Sequence, residues 1–262
     1  MPEDVGMVPL GRVAEIWRFP VKSMRGERLQ STEVGENGLS GDRRFGVLDM
    51  ERGSILSAKR APELFLCAAR YDDATDMAAI ELPNGDVRPP GDDLDATLSE
   101  MLARPVRLVR SDELAAALIQ MAATDTTTTG ESTEWPAPPG TFFDASPIHF
   151  LTTSTLARYR TLYPAGDFDP RRFRANFVID TPGDDGFVEE ELIGGAVRIG
   201  DAVMHVTKAC SRCVMTTLEQ PGLVRDRGIL RTIARSNDNK LGVRAVVTAG
   251  GVVEAGDVLV RA

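Results

Sequence analysis

The 262-residue sequence predicts a mainly β protein with a few helices, closer to a barrel than to a parallel α/β sheet. Three observations predict it. Short apolar runs are divided throughout by Gly, Pro and Asn; turn pairs suited to hairpins, Asn84-Gly85 and Gly200-Asp201, sit between such runs; and helical patterns are few.

Arg12 to Phe19 is rich in apolar and aromatic residues and stops at Pro20, as a strand stops before a turn. Phe45 to Leu48, Leu64 to Ala68 and Ala78 to Leu82 are further strand candidates. Leu94, Leu98, Met101 and Leu102 fall at helical spacing behind the acidic start Asp92-Asp93, and the Ala- and Leu-rich Glu113 to Ala122 reads as a second helix. Thr124 to Gly140 is of low complexity, with Thr126 to Thr129 in a row, and reads as a mobile loop or domain boundary. Beyond it, Ser154 is placed to cap a helix carrying Leu156, Tyr159 and Leu162, which Pro164 ends. Asn176 to Asp180 is a strand, Ala196 to Ile199 and Val203 to Val206 form a hairpin, and Arg225 to Arg235 is a helix around Ile229, Leu230 and Ile233. Arg244 to Thr248 and Val258 to Val260 return to β.

Charge and cysteine content narrow the function. Thirty Lys and Arg against 39 Asp and Glu give a net charge of −9, which argues against a nucleic-acid partner, since affinity there comes from neutralising phosphates. Only four of the basic residues are Lys: Lys22, Lys59, Lys208 and Lys240. Cys67, Cys210 and Cys213 are too few for a secreted disulfide scaffold. The N-terminus has acids where a signal peptide needs positive charge, and no run approaches the ~20 apolar residues of a membrane span. A cytoplasmic protein with no membrane partner is expected.

The sequence has no GxGxxG, P-loop or HExxH, and only His149 and His205 are present for acid–base work; each alone is more often a satisfied imidazole than a catalyst. The segment Ala209-Cys210-Ser-Arg-Cys213 follows a strand pattern. Structural zinc needs four ligands, and no second cysteine pair exists at finger spacing. Lys208 and Arg212 flank the pair and favour thiolate, a soft metal ligand or a nucleophile. Two other clusters suit an anion. Lys22-Ser23-Met-Arg25-Gly26 and Gly41-Asp42-Arg43-Arg44-Phe45 set cations beside Gly and Ser at strand ends, and Arg171-Arg172-Phe173-Arg174-Ala175-Asn176 is an Arg-rich turn entering a strand. Asn176 suits either the edge of a heterocycle or a turn-stabilising role.

Taken with Arg12-Val-Ala-Glu-Ile-Trp-Arg-Phe-Pro-Val-Lys22-Ser23 and Phe143-Asp144-Ala-Ser146-Pro147-Ile-His149, these segments, in this order, resemble the MOSC family, the molybdenum cofactor sulfurase C-terminal domains, with its preceding β-barrel domain. The likeness is greatest to the two-domain branch that includes amidoxime-reducing components and N-hydroxylated-purine resistance proteins. It implies an N-terminal β-barrel domain at 8–122, a flexible linker at 123–140 and a MOSC-type β-barrel at 141–262. It implies a molybdenum–pterin cofactor with Cys213 as metal ligand and catalytic thiolate. Lys22, Ser23 and Arg44 would hold the cofactor from the first domain, and Ser146, Arg174, Asn176 and Arg212 from the second. Pyridoxal phosphate belongs to the family's sulfurases through an upstream domain and is not expected to bind here. The implied reaction is oxygen-atom transfer from an N-hydroxylated base or amidoxime. Electrons would come from a separate redox protein, because the remaining cysteines cannot hold an iron–sulfur cluster. The competing expectation is a non-catalytic carrier of the cofactor, or of sulfur as a Cys213 persulfide. The chain departs from the family at Leu218-Glu219-Gln220-Pro221, where relatives often carry Asp-Pro, and at Ala145 and Ala175. An acidic exterior around a basic pocket of Lys22, Arg44, Arg174, Lys208 and Arg212 is the resulting expectation.

Overall fold

In the computed structural model, residues 9–114, 116–121, 133–181, 183 and 186–262 are described. The first part of the low-complexity stretch, 124–132, therefore lies outside the described residues. The strands in chain order are β1 (Gly11–Arg18), β2 (Glu27–Leu29), β3 (Ser31–Gly35), β4 (Gly38–Leu39), β5 (Phe45–Asp49), β6 (Ser54–Ile55), β7 (Ala68–Asp72), β8 (Met77–Glu81), β9 (Val87–Arg88), β10 (Val106–Arg110), β11 (Leu118–Met121) and β12 (Thr133–Pro136). They continue with β13 (Ile148–Thr152), β14 (Phe177–Asp180), β15 (Ala196–Ile199), β16 (Ala202–Ser211), β17 (Lys240–Ala249), β18 (Gly251–Glu254) and β19 (Val258–Arg261). The helices are α1 (Asp92–Leu102), α2 (Thr153–Leu162) and α3 (Arg227–Ser236).

The order β14-β13-β17-β16-β15-β19-β1, closed by pairing of β1 with β14, makes a seven-stranded barrel with β2 added beside β1. The alternation of each strand sends Val13, Ile16, Phe150, Phe177, Ile179, Val197, Met204, Val206 and Val243 into one buried core. The barrel is thus completed by the first strand of the chain, and β3 also crosses to pair with β18. A second core, around Val21, Phe45, Val47, Leu64, Ile80, Leu94 and Leu98, is wrapped by the five-stranded sheet β10-β5-β6-β11-β12, the three-stranded sheet β7-β8-β9 and α1. Asp92, Asp93 and Asp95 in the first turn of α1 complement its dipole. No helix among the described residues is long and apolar enough to cross a membrane.

Three local expectations are corrected. Glu113 to Ala122 is no helix: Ser111–Glu113 is a 3-10 turn, and Leu118–Met121 is a strand between β6 and β12 that buries Ile119. Leu64 to Ala68 is divided, with Pro62 opening a 3-10 turn to Leu66 before β7 begins at Ala68. The cap of α2 is Thr152, whose hydroxyl accepts from the Thr155 N–H at 3.2 Å, so the helix begins before Ser154.

Candidate functional site

The segment after β1 folds back sharply. Pro20 ends the strand while its carbonyl accepts from the Phe45 N–H, and the Lys22 N–H donates to Phe45 O, both at 2.9 Å. Ser23 follows in the left-handed region (φ 69°), and its hydroxyl accepts from the Ala58 N–H at 2.9 Å. This turn buries Lys22, whose Nζ donates to Phe142 O at 2.8 Å and pairs with the half-exposed Asp144 carboxylate. Burial pushes the Lys22 amine below its ordinary range, and Asp144 works against that.

Arg43 and Arg44 diverge. Arg43, at φ 50°, pairs with buried Asp42, donates to Arg174 O at 3.1 Å and lies 4.9 Å above the Phe19 ring. Arg44 instead donates to Asp112 at 2.9 Å and joins an ion-pair network with Asp76 and Arg110. The structure therefore does not bring Arg44 to Lys22, Arg174 or Arg212, and sequence reasoning passed over Arg43, which reaches Arg174. The signal was the pair itself, since neighbours next to a strand face opposite ways.

The turn entering β14 is the hub. Arg174 (φ 54°) lies 4.2 Å over Phe19 and donates to Met24 O; burial, with Arg43 nearby, pulls its guanidinium down to about 9. Asn176, only 1% exposed, donates to Asp42 Oδ2 at 3.1 Å and Trp17 O at 3.3 Å, while its Oδ1 accepts from the His149 N–H at 3.2 Å. Its amide is thus committed to the protein, joining the 42–43 turn to β1 and β13. Ser146 donates to Ala245 O at 2.7 Å and fixes the approach to β13.

Around the cysteines, Arg212 reaches from the end of β16. Its Nη1 lies 3.0 Å from Cys210 Sγ, and its Nη2 donates to Phe173 O at 2.8 Å. Arg244 approaches the same sulfur at 3.4 Å, and His149 Nε2 lies 3.5 Å from Arg212. Burial opposes a charge on Cys210, but His149 and the two guanidiniums outweigh it and hold the thiol well below its ordinary range. The cations that act on Cys210 are thus Arg212 and Arg244, where Lys208 and Arg212 were expected; Lys208 is exposed on β16. Sequence reasoning passed over Arg244 and read His149 as a satisfied imidazole rather than a partner of Cys210. His149 closes the Asp144-to-His149 segment, and Arg244 pairs with Lys208 across β16 and β17. Gly242 (φ 76°) makes room for the imidazole, since a Cβ there would stand 2.5 Å from His149 Nε2.

Cys213 is different. It is partly exposed, begins the 3-10 turn Val214–Thr217, and its carbonyl accepts from the Thr216 N–H at 3.1 Å and the Thr216 hydroxyl at 3.0 Å. The thiol is free of disulfide. Among the described residues no group of three His, Cys, Asp or Glu could hold a metal ion. A metal bound by Cys213 must then bring most of its own ligands, as a pterin dithiolene does. The cations Lys22, Arg43, Arg174 and Arg212, with Arg212 Nε buried and without an acceptor among the described residues, suit the anionic part of such a group.

The chain, with its barrel completed by the first strand and its second β unit reaching Arg174 O through Arg43, matches two family models. Residues 10–128 match the MOSC N-terminal beta barrel domain and residues 138–260 match the MOSC domain. The chain belongs to the MOSC domain family with its N-terminal β-barrel domain. It is similar to a molybdenum cofactor sulfurase of Drosophila grimshawi, at 28% identity over 85% of this chain and 30% of the sulfurase. It is also similar to mitochondrial amidoxime reducing component 2 of Rattus norvegicus, at 25% identity over 83% of this chain and 70% of that protein. The chain thus spans under a third of that sulfurase and more than two thirds of the reducing component. Among solved structures, the YUAD protein from Bacillus subtilis shares the fold with a TM-score of 0.50 at 10% identity, over 95% of this chain and 93% of that one.

Proposed function

We propose that this chain is a molybdenum-cofactor oxidoreductase that reduces N-hydroxylated compounds, such as N-hydroxylated bases and amidoximes, with electrons from a separate redox protein. The observation that carries the reading is a cluster of cations drawn from both halves of the chain, with Arg43 donating to Arg174 O and facing buried Lys22, while Arg212, next in sequence to the partly exposed Cys213, is held at Phe173 O. Similarity to the amidoxime reducing component supports the substrate class.

When bound, the cofactor supplies oxygen-atom transfer and electron storage, which leaves the protein to bind, orient and shield. Cys213 would provide the one protein thiolate. Arg212, held by Phe173 O and Cys210, is fixed one residue away and lends positive charge to that loop. Lys22, Arg174 and Ser23 would meet the pterin phosphate, where buried cations offset the cost of desolvating an anion. Asn176 and Asp42 would act one step back, by holding Arg43 against Arg174. The net charge of −9 suits docking to a basic electron donor.

The test is purification from a host that makes the cofactor, with molybdenum stoichiometry for wild type, Cys213→Ala and Cys210→Ala, and turnover of an N-hydroxylated base with a chemical reductant. The reading expects one molybdenum per chain in wild type, none in Cys213→Ala, retention in Cys210→Ala, and turnover. A wild type without molybdenum refutes it, and cofactor without turnover favours a carrier.

A further inference from the structure

Beside Arg174 lies a cavity of about 150 Å³ whose charged lining is cationic, Arg25, Arg171 and Arg174, with Gln220 beside them and a wall made by Trp17 and Phe19. No Asp or Glu among the described residues lines it. Gln220 is only 5% exposed, and its Nε2 meets no acceptor among the described residues; the same is true of Arg25 Nε. Buried donors left unpaired are costly, and the two residues that carry these, Gln220 and Arg25, both line the cavity. Gln220 is held in place by its backbone, whose N–H donates to Leu223 O at 2.9 Å and whose carbonyl accepts from the Leu223 N–H at 2.7 Å. Arg171 is fixed by Asp169 through two side-chain bonds of 2.9 and 2.7 Å. Trp17 and Phe19 are stacked, with ring centroids 6.5 Å apart and 18° between planes, and form a flat apolar side.

We propose that this cavity is a substrate subsite for an oxyanion, a carboxylate or phosphate, carried on a single planar ring: the oxyanion meets Gln220, Arg25 and Arg171, and the ring lies along Trp17 and Phe19. The volume admits one six-membered ring. The guanidiniums of Arg25 and Arg171 select the anion over its neutral amide. The assignment of the occupant as substrate rests on the reductase reading, whereas the anion preference stands on the cavity itself.

Trp17 reports on the cavity in a Trp135→Phe background, which removes the chain's other tryptophan. Fluorescence titrations with benzoate, benzamide and inorganic phosphate are made on protein with and without molybdenum, for wild type, Gln220→Leu and Gln220→Glu, each checked for an unchanged unfolding midpoint. Benzoate is expected to saturate, benzamide to bind at least about tenfold more weakly, and Gln220→Leu to weaken benzoate about tenfold. Gln220→Glu should abolish binding by placing an anion against an anion. Saturation by phosphate supports the oxyanion subsite and identifies a phosphorylated source; saturation by benzoate alone identifies a carboxylated one. The proposal is overturned if neither anion saturates, if benzamide matches benzoate, if Gln220→Leu leaves affinity unchanged, or if molybdenum-loaded protein no longer binds the anion, which would make this the cofactor's own place. A wild type without molybdenum would sink the reductase reading while leaving the titration of the metal-free protein to decide on the cavity.

Discussion

Replacing Asn176 by Ala separates two roles for this residue, contact with a cofactor and internal clamp. The side chain is 1% exposed and has four polar neighbours: Asp42 Oδ2 at 3.1 Å, the His149 N–H at 3.2 Å, Trp17 O at 3.3 Å and Arg43 Nη1 at 3.4 Å. The first two have the better geometry. Asp42, itself 5% exposed, keeps the Phe19 N–H at 2.7 Å and Arg43 when Asn176 is truncated, so it loses one donor of three. The His149 N–H loses its side-chain acceptor. Two buried partners each losing a bond at about 1–2 kcal/mol amount to a destabilisation of about 2–4 kcal/mol, or roughly 5–15 °C in Tm for a chain of this size. Urea and thermal unfolding of metal-free protein measure it. The clamp role requires that loss without any cofactor present. If metal-free Asn176→Ala unfolds within about 0.5 kcal/mol of wild type and only its molybdenum content falls, the side chain serves the cofactor directly and the reasoning fails.

Two further outcomes test other buried features. Glu189, 1% exposed, accepts from Thr152 and Thr155 hydroxyls at 2.6 Å each, while Oε1 has no donor among the described residues. Burial raises its pKa above the ordinary 4.5, so its stabilising contribution is complete below the unfolded value and is lost as pH rises through the folded one. Glu189→Gln should remove that decline in urea midpoints above pH 4.5; parallel pH profiles for the two proteins would contradict it. Gly242→Ala places a Cβ 2.5 Å from His149 Nε2 at φ 76°, and a loss of about 1–3 kcal/mol is expected, together with slower alkylation of Cys210 as His149, which favours its thiolate, is displaced. Unchanged stability and Cys210 reactivity would show that the imidazole is not held against this glycine.

Local chemistry was legible in the sequence, and distant pairing was not. The hairpin of β15 and β16 could be read because Gly200-Asp201 states its turn within four residues. Glu113 to Ala122 has good helix formers, yet β11 pairs with Ser54–Ile55 some sixty residues earlier, and no local pattern announces that partner. The same holds for the site. Ordered motifs found Lys22, Arg174 and Arg212 as cations, but not their partners, which lie 120 residues away at Phe142, 150 away at Met24 and 39 away at Phe173. The partners of Cys210 come from β13 and β17, so His149 and Arg244 reach it only through sheet register. Which of Arg43 and Arg44 turns inward is decided by Asp42 and Asn176, the latter on the far side of the chain.

Register also explains why one extra residue in β1 matters to the site. Arg12 and Val13 pair with Asp180 and Ile179, but Glu15 and Ile16 pair with Val178 and Phe177, so Ala14 is the additional residue of a bulge. Carried on past the strand end, the shifted register sets Trp17 opposite Asn176, as the 2.8 Å bond from the Trp17 N–H to Asn176 O shows, and Phe19 opposite Arg174. The ring then receives the Arg174 guanidinium at 4.2 Å, a favourable cation–π contact. Without the bulge the unshifted register would put Arg18 opposite Arg174, two buried guanidiniums facing each other. Arg18 instead turns to Glu27 and Asp73, at 2.8 Å each, on the other face of the strand. A one-residue slip exchanges the faces of a strand, and here that exchange decides whether the wall beside Arg174 is an aromatic ring or a second cation. The bulge at Ala14, distant from Cys213 in sequence, is therefore what makes the first strand complete both the barrel and the edge of the candidate site.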